Sequence, residues 1–279
     1  MTPGPVLITG CSSGIGRATA LRLAASGRKV WATARRIESI AELAAAGCRT
    51  LALEVTDEES RRTAIQAVEA ADGPLGALVN NAGYSQSGPL EEIPLDAVRR
   101  QFETNVFGLL RLCQLALPGM RQAGRGRIIN VSSMGGKLTF PGGGAYHATK
   151  YAVEALSDAL RFEVAGFGVD VVLIEPGIIR TDFSSAAIRQ VPEPSSGPYA
   201  AFREAVIRNT RDVYTEGKLA KLGGEPDDVA RVIERALDAR RPKARYRVTA
   251  SATVLMTLRA VLPDALWDKF LAGSFPRPR

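Results

Sequence analysis

The sequence predicts an α/β fold with a doubly wound parallel sheet, and three observations lead to it. Short apolar runs alternate with longer amphipathic ones. The apolar runs are continuous rather than alternating in polarity, and the first of them breaks directly into a glycine-rich turn. A strand that is apolar throughout is buried on both faces, as in a parallel sheet covered by helices. Parallel neighbours joined through helices require right-handed crossovers, which wind the chain over both faces of the sheet.

The elements can be placed in order. Strand-like runs are VLIT (6–9), KVWATA (29–34), RTLALEV (49–55), ALVNNA (77–82), RIINVSS (127–133) and VDVVLIEP (169–176). Helical patterns fall at about 14–26, 38–46, 57–71, 95–122, 143–165 and 225–240. A late run, RYRV (245–248), adds an edge strand. Two regions break the rhythm. Residues 183–224 read as irregular, with VPEPSSGPY (191–199) inside them. They follow the sixth strand and so overhang the carboxyl ends of the strands, where ligands bind in open α/β sheets. A mobile substrate cover is expected there. The stretch 252–273 is strongly apolar and broken by Pro263. It is expected to form a C-terminal helical extension, at about 250–273, packed on the domain or on a partner subunit. An interfacial membrane helix, helped by the basic run before it, is the rival reading. With no repeat and no proline- and glycine-rich linker, residues 1–279 are expected to form one domain.

Composition narrows the function classes. Apolar residues make up 46% and charged residues 23%, ordinary globular values. The run VLITG (6–10) is too short for a signal core or a membrane span. Cys11, Cys48 and Cys113 lie far apart without CxxC spacing, which argues for a reducing compartment and a cytoplasmic protein. A single histidine leaves no zinc-ligand cluster. The net charge of +7 concentrates in RQAGRGR (121–127), RRPKARYR (240–247) and the tail RPR. No aromatic-plus-basic pattern accompanies these runs, so no nucleic-acid partner is expected.

The chemistry-bearing motifs sit at the carboxyl ends of the strands. TGCSSGIG (9–16) lies between the first strand and the first helix, the context in which spaced glycines bind a dinucleotide. Gly10 allows the tight turn. Gly14 and Gly16 let the helix start approach a pyrophosphate, whose charge the free amides of Ser12, Ser13 and Ile15 would face. NNAG (80–83) ends the fourth strand with Asn81, Ala82 and Gly83. TNVFG places Asn105 inside a long apolar helix, where an asparagine is costly without a partner. SSMGG (132–136) sets two hydroxyls at the same rim.

AYHATK (145–150) holds the only histidine, yet its neighbours fit the chemistry better. Tyr146 and Lys150 are one helical turn apart and share a face, whereas His147 is rotated by about 100°. A phenol with a pKa near 10 is a poor catalyst at neutral pH. A lysine cation beside it favours the phenolate and brings that pKa toward the working range. Tyr146 and Lys150 therefore read as one catalytic unit and His147 as a bystander.

This ordered set resembles the short-chain dehydrogenase/reductase family in its short single-domain branch, over roughly residues 5–182, and especially its hydroxysteroid- and retinol-dehydrogenase-like members. The resemblance implies a Rossmann-type sheet of about seven strands and a nicotinamide dinucleotide. It implies Tyr146 as general acid–base and Lys150 as the ligand of the nicotinamide ribose that lowers the tyrosine pKa. Ser133, rather than Ser132, would orient the substrate carbonyl, and Asn105 would hold a proton-relay water. Pro176, Gly177, Ile179 and Thr181, in PGIIRT (176–181), match the nicotinamide-side loop. Glu54, followed by Val55, stands where many members carry aspartate beside the adenine. Association into a homodimer or homotetramer through helices 95–122 and 143–165 is implied as well.

The second strand bears on which dinucleotide binds. In this fold an acid there serves the ribose of NAD, and an arginine suits the 2′-phosphate of NADP. The strand ends in Ala34, Arg35 and Arg36, and the first acid, Glu38, lies beyond the turn. A guanidinium binds phosphate with two parallel hydrogen bonds. NADP(H) is therefore expected, with Arg35 as first contact, Arg36 as second and Ser12 as a third, and NAD(H) as the alternative. Ser13 points the other way, since many NADP-preferring relatives carry a basic residue there.

The expected function is interconversion of an alcohol and a carbonyl by hydride transfer. A non-catalytic dinucleotide sensor is the rival, but it would not need Asn105, Ser133, Tyr146 and Lys150 together. Sugar-nucleotide epimerases space their glycines differently, and a serine hydrolase would need a Gly-x-Ser-x-Gly elbow. Phe183, Ile188, Val191, Tyr199, Phe202, Val206 and Ile207 in the cover segment point to an apolar small-molecule substrate.

Overall fold

The computed structural model describes residues 4–191, 197–215 and 220–278. Seven strands form one parallel sheet: β1 (Val6–Ile8), β2 (Val30–Ala34), β3 (Arg49–Ala52), β4 (Ala77–Asn80), β5 (Gly126–Val131), β6 (Val169–Pro176) and β7 (Arg245–Val248). Their order is β3-β2-β1-β4-β5-β6-β7. The chain winds one way from β1 to β3 and then reverses to β4, so the switch point lies between β1 and β4, whose Leu7 and Leu78 pair in register. The doubly wound Rossmann-type sheet is as the sequence predicts.

Side-chain alternation builds two cores from the same strands. Val6 and Ile8 of β1 join Ala77 and Val79 of β4 on one face. Leu7 and Leu78 point to the other, as the two-residue period of a strand requires. The first face is covered by α1 (Gly14–Ala25) and α9 (Pro226–Asp238), which pack on each other. The second lies under α3 (Glu58–Asp72), α5 (Gly108–Gln122) and α6 (Gly144–Val164).

Four expectations are corrected. The third strand stops at Ala52 rather than residue 55, and it is partly exposed because it is an edge strand paired only with β2. The predicted helix 38–46 is a 3-10 turn, Ile37–Ile40, followed by the short α2 (Ala41–Ala45). The predicted helix 95–122 is interrupted: α4 (Leu95–Phe102) passes through one π turn, Glu103–Phe107, before α5. The cover segment is helical rather than irregular, with α7 (Phe183–Arg189) and α8 (Ala200–Thr215). The proline-rich stretch interrupts the periodicity that would have revealed them, and 192–196 and 216–219 lie outside the described residues.

After β7 the chain forms α10 (Ala250–Val261) and α11 (Asp264–Ala272), divided at Pro263. Ala252, Leu255, Met256 and Trp267 pack with Leu138, so one side of the extension lies on the same body, while Val254, Val261 and Leu266 are exposed. Among the described residues no helix is long and apolar enough to cross a membrane.

Candidate active site

The switch point opens into one cavity of about 1230 Å³ that runs from the glycine turn past α6 to the C-terminal helices. At its start, Gly10 (φ +72°) and Gly14 (φ +54°) take left-handed conformations that other residues rarely adopt. Ser13 precedes α1 in extended backbone without a side-chain cap, and Ser12, Ser13, Gly14 and Ile15 line the cavity. The positive end of the helix thus faces open space suited to an anion. Gly16 has a different reason to be glycine from the one expected. A Cβ there would fall 2.3 Å from Gly10 O, so its absence seats α1 against its own turn rather than against a pyrophosphate.

Thr9 and Asn81 stitch the two strands of the switch point together. Thr9 Oγ1 accepts from the N–H groups of Asn81 and Ala82 at 3.0 and 2.9 Å, and Asn81 Nδ2 donates to Thr9 O and Gly10 O. Ala82 and Gly83 continue the wall, facing Arg35, Glu54 and Val55 from beyond β2 and β3. Glu54 Oε1 accepts from Thr56 N and Oγ1 at 3.0 and 2.9 Å, which closes the turn after β3. Arg36 is not among the lining residues. Its extended backbone caps the 3-10 turn, its carbonyl accepting from Ser39, and its side chain is exposed elsewhere. The phosphate-binding expectation therefore falls on Arg35.

Of the residues expected to do chemistry, Ser133, Tyr146 and Lys150 line the cavity together, and Asn105 does not. Lys150 is buried, and its Nζ donates to Val131 O at 2.8 Å. Nζ lies 5.8 Å from the Tyr146 ring centre. Burial lowers the Lys150 pKa to about 8, opposed by the charge of Glu154. Ser133, just past the end of β5, lines the cavity, and its Oγ accepts from Gly135 N at 3.0 Å. Ser132 Oγ is buried and lacks a hydrogen-bond partner. His147 is packed beneath Phe140, accepts from Phe140 N at 3.3 Å, and is pushed down to about 4 by burial. It is neutral at physiological pH, and it also lines the cavity beside Tyr146.

Asn105 sits in the π turn and does not line the cavity wall. Its Nδ2 donates to Tyr84 O (2.9 Å) and Thr149 Oγ1 (3.1 Å), and its Oδ1 accepts from Tyr84 N (3.1 Å). Thr149 Oγ1 in turn donates to Tyr146 O at 2.7 Å. One asparagine thereby ties the loop after β4 to the helical turn that carries Tyr146. The cost of burying it is met by these bonds. Thr149 was not singled out from sequence, although it stands inside the quoted AYHATK motif.

Pro176, Gly177, Ile179 and Thr181 line the cavity opposite Tyr146, with a Thr181 methyl placed 3.2 Å from where a Gly14 Cβ would lie. Farther out, Phe183 meets the Tyr146 ring at 5.4 Å between centres. Val206 of α8 also lines the cavity, whereas Ile188, Val191, Tyr199, Phe202 and Ile207 do not. Sequence reasoning missed the far wall, where Leu255, Phe270, Leu271 and Phe275 of the C-terminal extension complete an apolar chamber. Their signal was the apolar pattern of 252–273, whose position over the strand ends local sequence does not encode.

The chain matches the family described as short chain dehydrogenase over residues 5–215. It is 37% identical over 270 residues to the uncharacterized oxidoreductase YbbO of Escherichia coli, covering 96% of this chain and 94% of that one. It is 35% identical to a 3-ketodihydrosphingosine reductase of Bacteroides thetaiotaomicron, with 95% of each chain covered. It is also 34% identical to an NADPH-dependent 3-dehydrocapnine reductase of Ornithobacterium rhinotracheale, with 94% of each covered. Among solved structures, a short-chain dehydrogenase from Streptomyces avermitilis superposes with a TM-score of 0.80 at 38% identity, over 96% of this chain and 98% of that one. One from Burkholderia phymatum in complex with NAD superposes at 0.76 and 28% identity, over 91% of each. The chain belongs to the short-chain dehydrogenase/reductase family. It is an oxidoreductase that uses a nicotinamide dinucleotide.

Proposed function

We propose that this enzyme interconverts an apolar secondary alcohol, or an aldehyde-level alcohol, and its carbonyl compound, with NADP(H) preferred. The observation that carries the reading is the single cavity. It joins the uncapped start of α1 and Arg35 to Tyr146 and Lys150, and then opens into the apolar chamber of Phe183, Val206 and Phe270. The donors present fit a dinucleotide: positive-φ glycines at a helix start, an arginine for a 2′-phosphate, and a buried ammonium for a ribose. A dinucleotide held by these residues would supply or accept the hydride.

The protein's own groups move the proton. In reduction Tyr146 donates its phenolic proton to the carbonyl oxygen, and in oxidation its phenolate takes the proton back. Lys150, an ammonium below about pH 8, favours that phenolate and holds the ribose. Ser133 Oγ accepts from Gly135 N, which leaves its hydrogen free for the substrate oxygen. Asn105 is assigned the relay water. Its Oδ1 retains acceptor capacity, and a π turn frees main-chain carbonyls from regular helical bonding.

Two relatives are named as a 3-ketodihydrosphingosine reductase and an NADPH-dependent 3-dehydrocapnine reductase, which supports carbonyl reduction as the reaction. The assay is a panel of long-chain ketones, retinal, steroids and small aldehydes, followed by dinucleotide absorbance. Turnover of small polar aldehydes alone would overturn the apolar reading. Assembly into a homodimer or homotetramer through α4, α5 and α6, in a cytoplasmic setting, completes the proposal.

A further inference from the structure

Behind the wall that holds Lys150 lies a second charged cluster that no step above uses. Glu154 follows Lys150 by one turn of α6, on the same face, and its side chain is 3% exposed. Its Oε2 takes Lys137 Nζ at 3.2 Å and Arg245 Nε at 3.0 Å, while Oε1 is buried without a hydrogen-bond partner. Glu175, 1% exposed on the adjacent β6, lies 3.3 Å from Arg245 Nε and 3.8 Å from Arg247 Nε, and neither of its oxygens makes a hydrogen bond. Asp158, next on α6, takes Arg245 Nη2 at 2.5 Å and Arg161 at 3.0 Å. Two carboxyl groups sealed from water in this way are costly unless paired, and Lys137, Arg245 and Arg247 are their partners.

Gly136 shows how close this cluster comes to the lysine. A Cβ there would lie 2.8 Å from Glu154 Cγ, 2.9 Å from Ser132 Oγ and 3.1 Å from Lys150 O. The carboxylate stem, the turn of α6 that carries Lys150 and the residue after Val131 therefore meet at one point. Val131 O is the acceptor that fixes Lys150 Nζ.

We propose that Glu154, backed by Glu175, is a positioning residue for Lys150, a fixed counter-charge that keeps the lysine an ammonium bound to Val131 O. The proposal rests on the catalytic reading of Lys150 only for its consequence, not for its electrostatics. Burial works against the ammonium, and Glu154 is the group that opposes it. Glu175 is pushed up to about 7, first by burial and then by the charge of Glu154, against Arg245, Arg247 and Lys137. Ionisation of Glu175 adds a further negative charge to the cluster behind Lys150.

The test is an NMR titration of the lysine ε-carbons of the full chain without substrate, with the Lys150 signal assigned by its loss in Lys150→Arg. Glu154→Gln keeps the shape and removes the charge, and the Lys150 midpoint is expected to fall by at least ~1 pH unit. The alkaline limb of kcat should move down with it, while KM for the dinucleotide at pH 6.5 stays unchanged. Glu154→Asp should restore part of the shift. Glu175→Gln should lower the Lys150 midpoint by a smaller amount, and it decides the matter if Glu154→Gln does not fold. An unchanged Lys150 midpoint in a folded Glu154→Gln protein, or in Glu175→Gln if that is the one that folds, overturns the proposal. The titration needs no substrate, so a failed substrate panel would count against the proposed function and leave this result standing.

Discussion

Lys150 is buried, yet its proposed role beside Tyr146 requires it to be charged. Its pKa, about 8 in the fold, lies below the ordinary lysine value, so the ammonium is complete below that pH and is lost as pH rises through it. Turnover in the oxidative direction is expected to fall above about pH 8, visible in a pH–rate profile with the dinucleotide saturating. Tyr146→Phe removes the proposed proton carrier while keeping the ring against Phe183. Turnover should drop by at least ~10²-fold with dinucleotide affinity intact by fluorescence titration. His147→Gln should change turnover little, because a neutral, buried imidazole has no proton to contribute at that pH. Equal losses in the two variants would show that the proton carrier had been misassigned. Arg35→Ala should weaken NADPH by about 1.5–3 kcal/mol, the scale of a hydrogen bond to a charged group, and leave NADH nearly unchanged. Tighter binding of NADH than NADPH by the unaltered enzyme would reverse the cofactor assignment.

Elements show where local sequence stops being informative. The strands, α1 and α6 were legible because each carries its own period and each site motif falls at a strand end, where the fold makes it meet the others. The π turn was not, since Glu103–Phe107 shares the apolar pattern of the helices on either side; only the buried Asn105 marked it. The α8 helix was hidden by the prolines before it, and its attachment is tertiary. Arg203, with a side chain 3% exposed, binds both oxygens of Glu92 at 2.5 and 2.6 Å, Tyr199 OH donates to Glu91 at 2.6 Å, and Gln86 Nε2 donates to Gln190 O. These bonds fasten the cover to the segment after β4, far away in sequence. Glu92→Gln takes the carboxylate from a buried guanidinium, a change worth about 3 kcal/mol in such pairs. Faster amide exchange in α8 and a several-fold rise in substrate KM are expected, with dinucleotide affinity unaltered. Unchanged exchange in 200–213 would mean that the pair does not hold the cover.

At the scale of the whole molecule, exposed large apolar side chains occur in several places, among them Leu90, Leu95, Val261 and Leu266, and one set of exposed residues is aligned along a helix. On α6 the residues Ala148, Tyr151, Ala155, Ala159 and Phe162 are all exposed and recur at intervals of three and four, which places them in one stripe along the helix. Phe162 is 85% exposed, and Phe107, the last residue of the π turn, is 49% exposed. The opposite face of α6, with Val153 and Val164, is already spent on the sheet. A helix apolar on both faces has a second partner, and small residues between two aromatics let another helix approach closely. The same stripe in a second copy provides a self-complementary surface, as a two-fold dimer requires. An oligomer is therefore expected by light scattering at micromolar concentration. Phe162→Glu would place a carboxylate in that contact and should weaken association by at least ~10-fold, since burying an unpaired charge costs several kcal/mol. Because Phe162 lies three turns of α6 beyond Tyr151 and away from the cavity, the variant should keep its fold and its dinucleotide affinity. A wild-type monomer would refute the assembly, and an oligomer indifferent to Phe162→Glu would move the interface to another face.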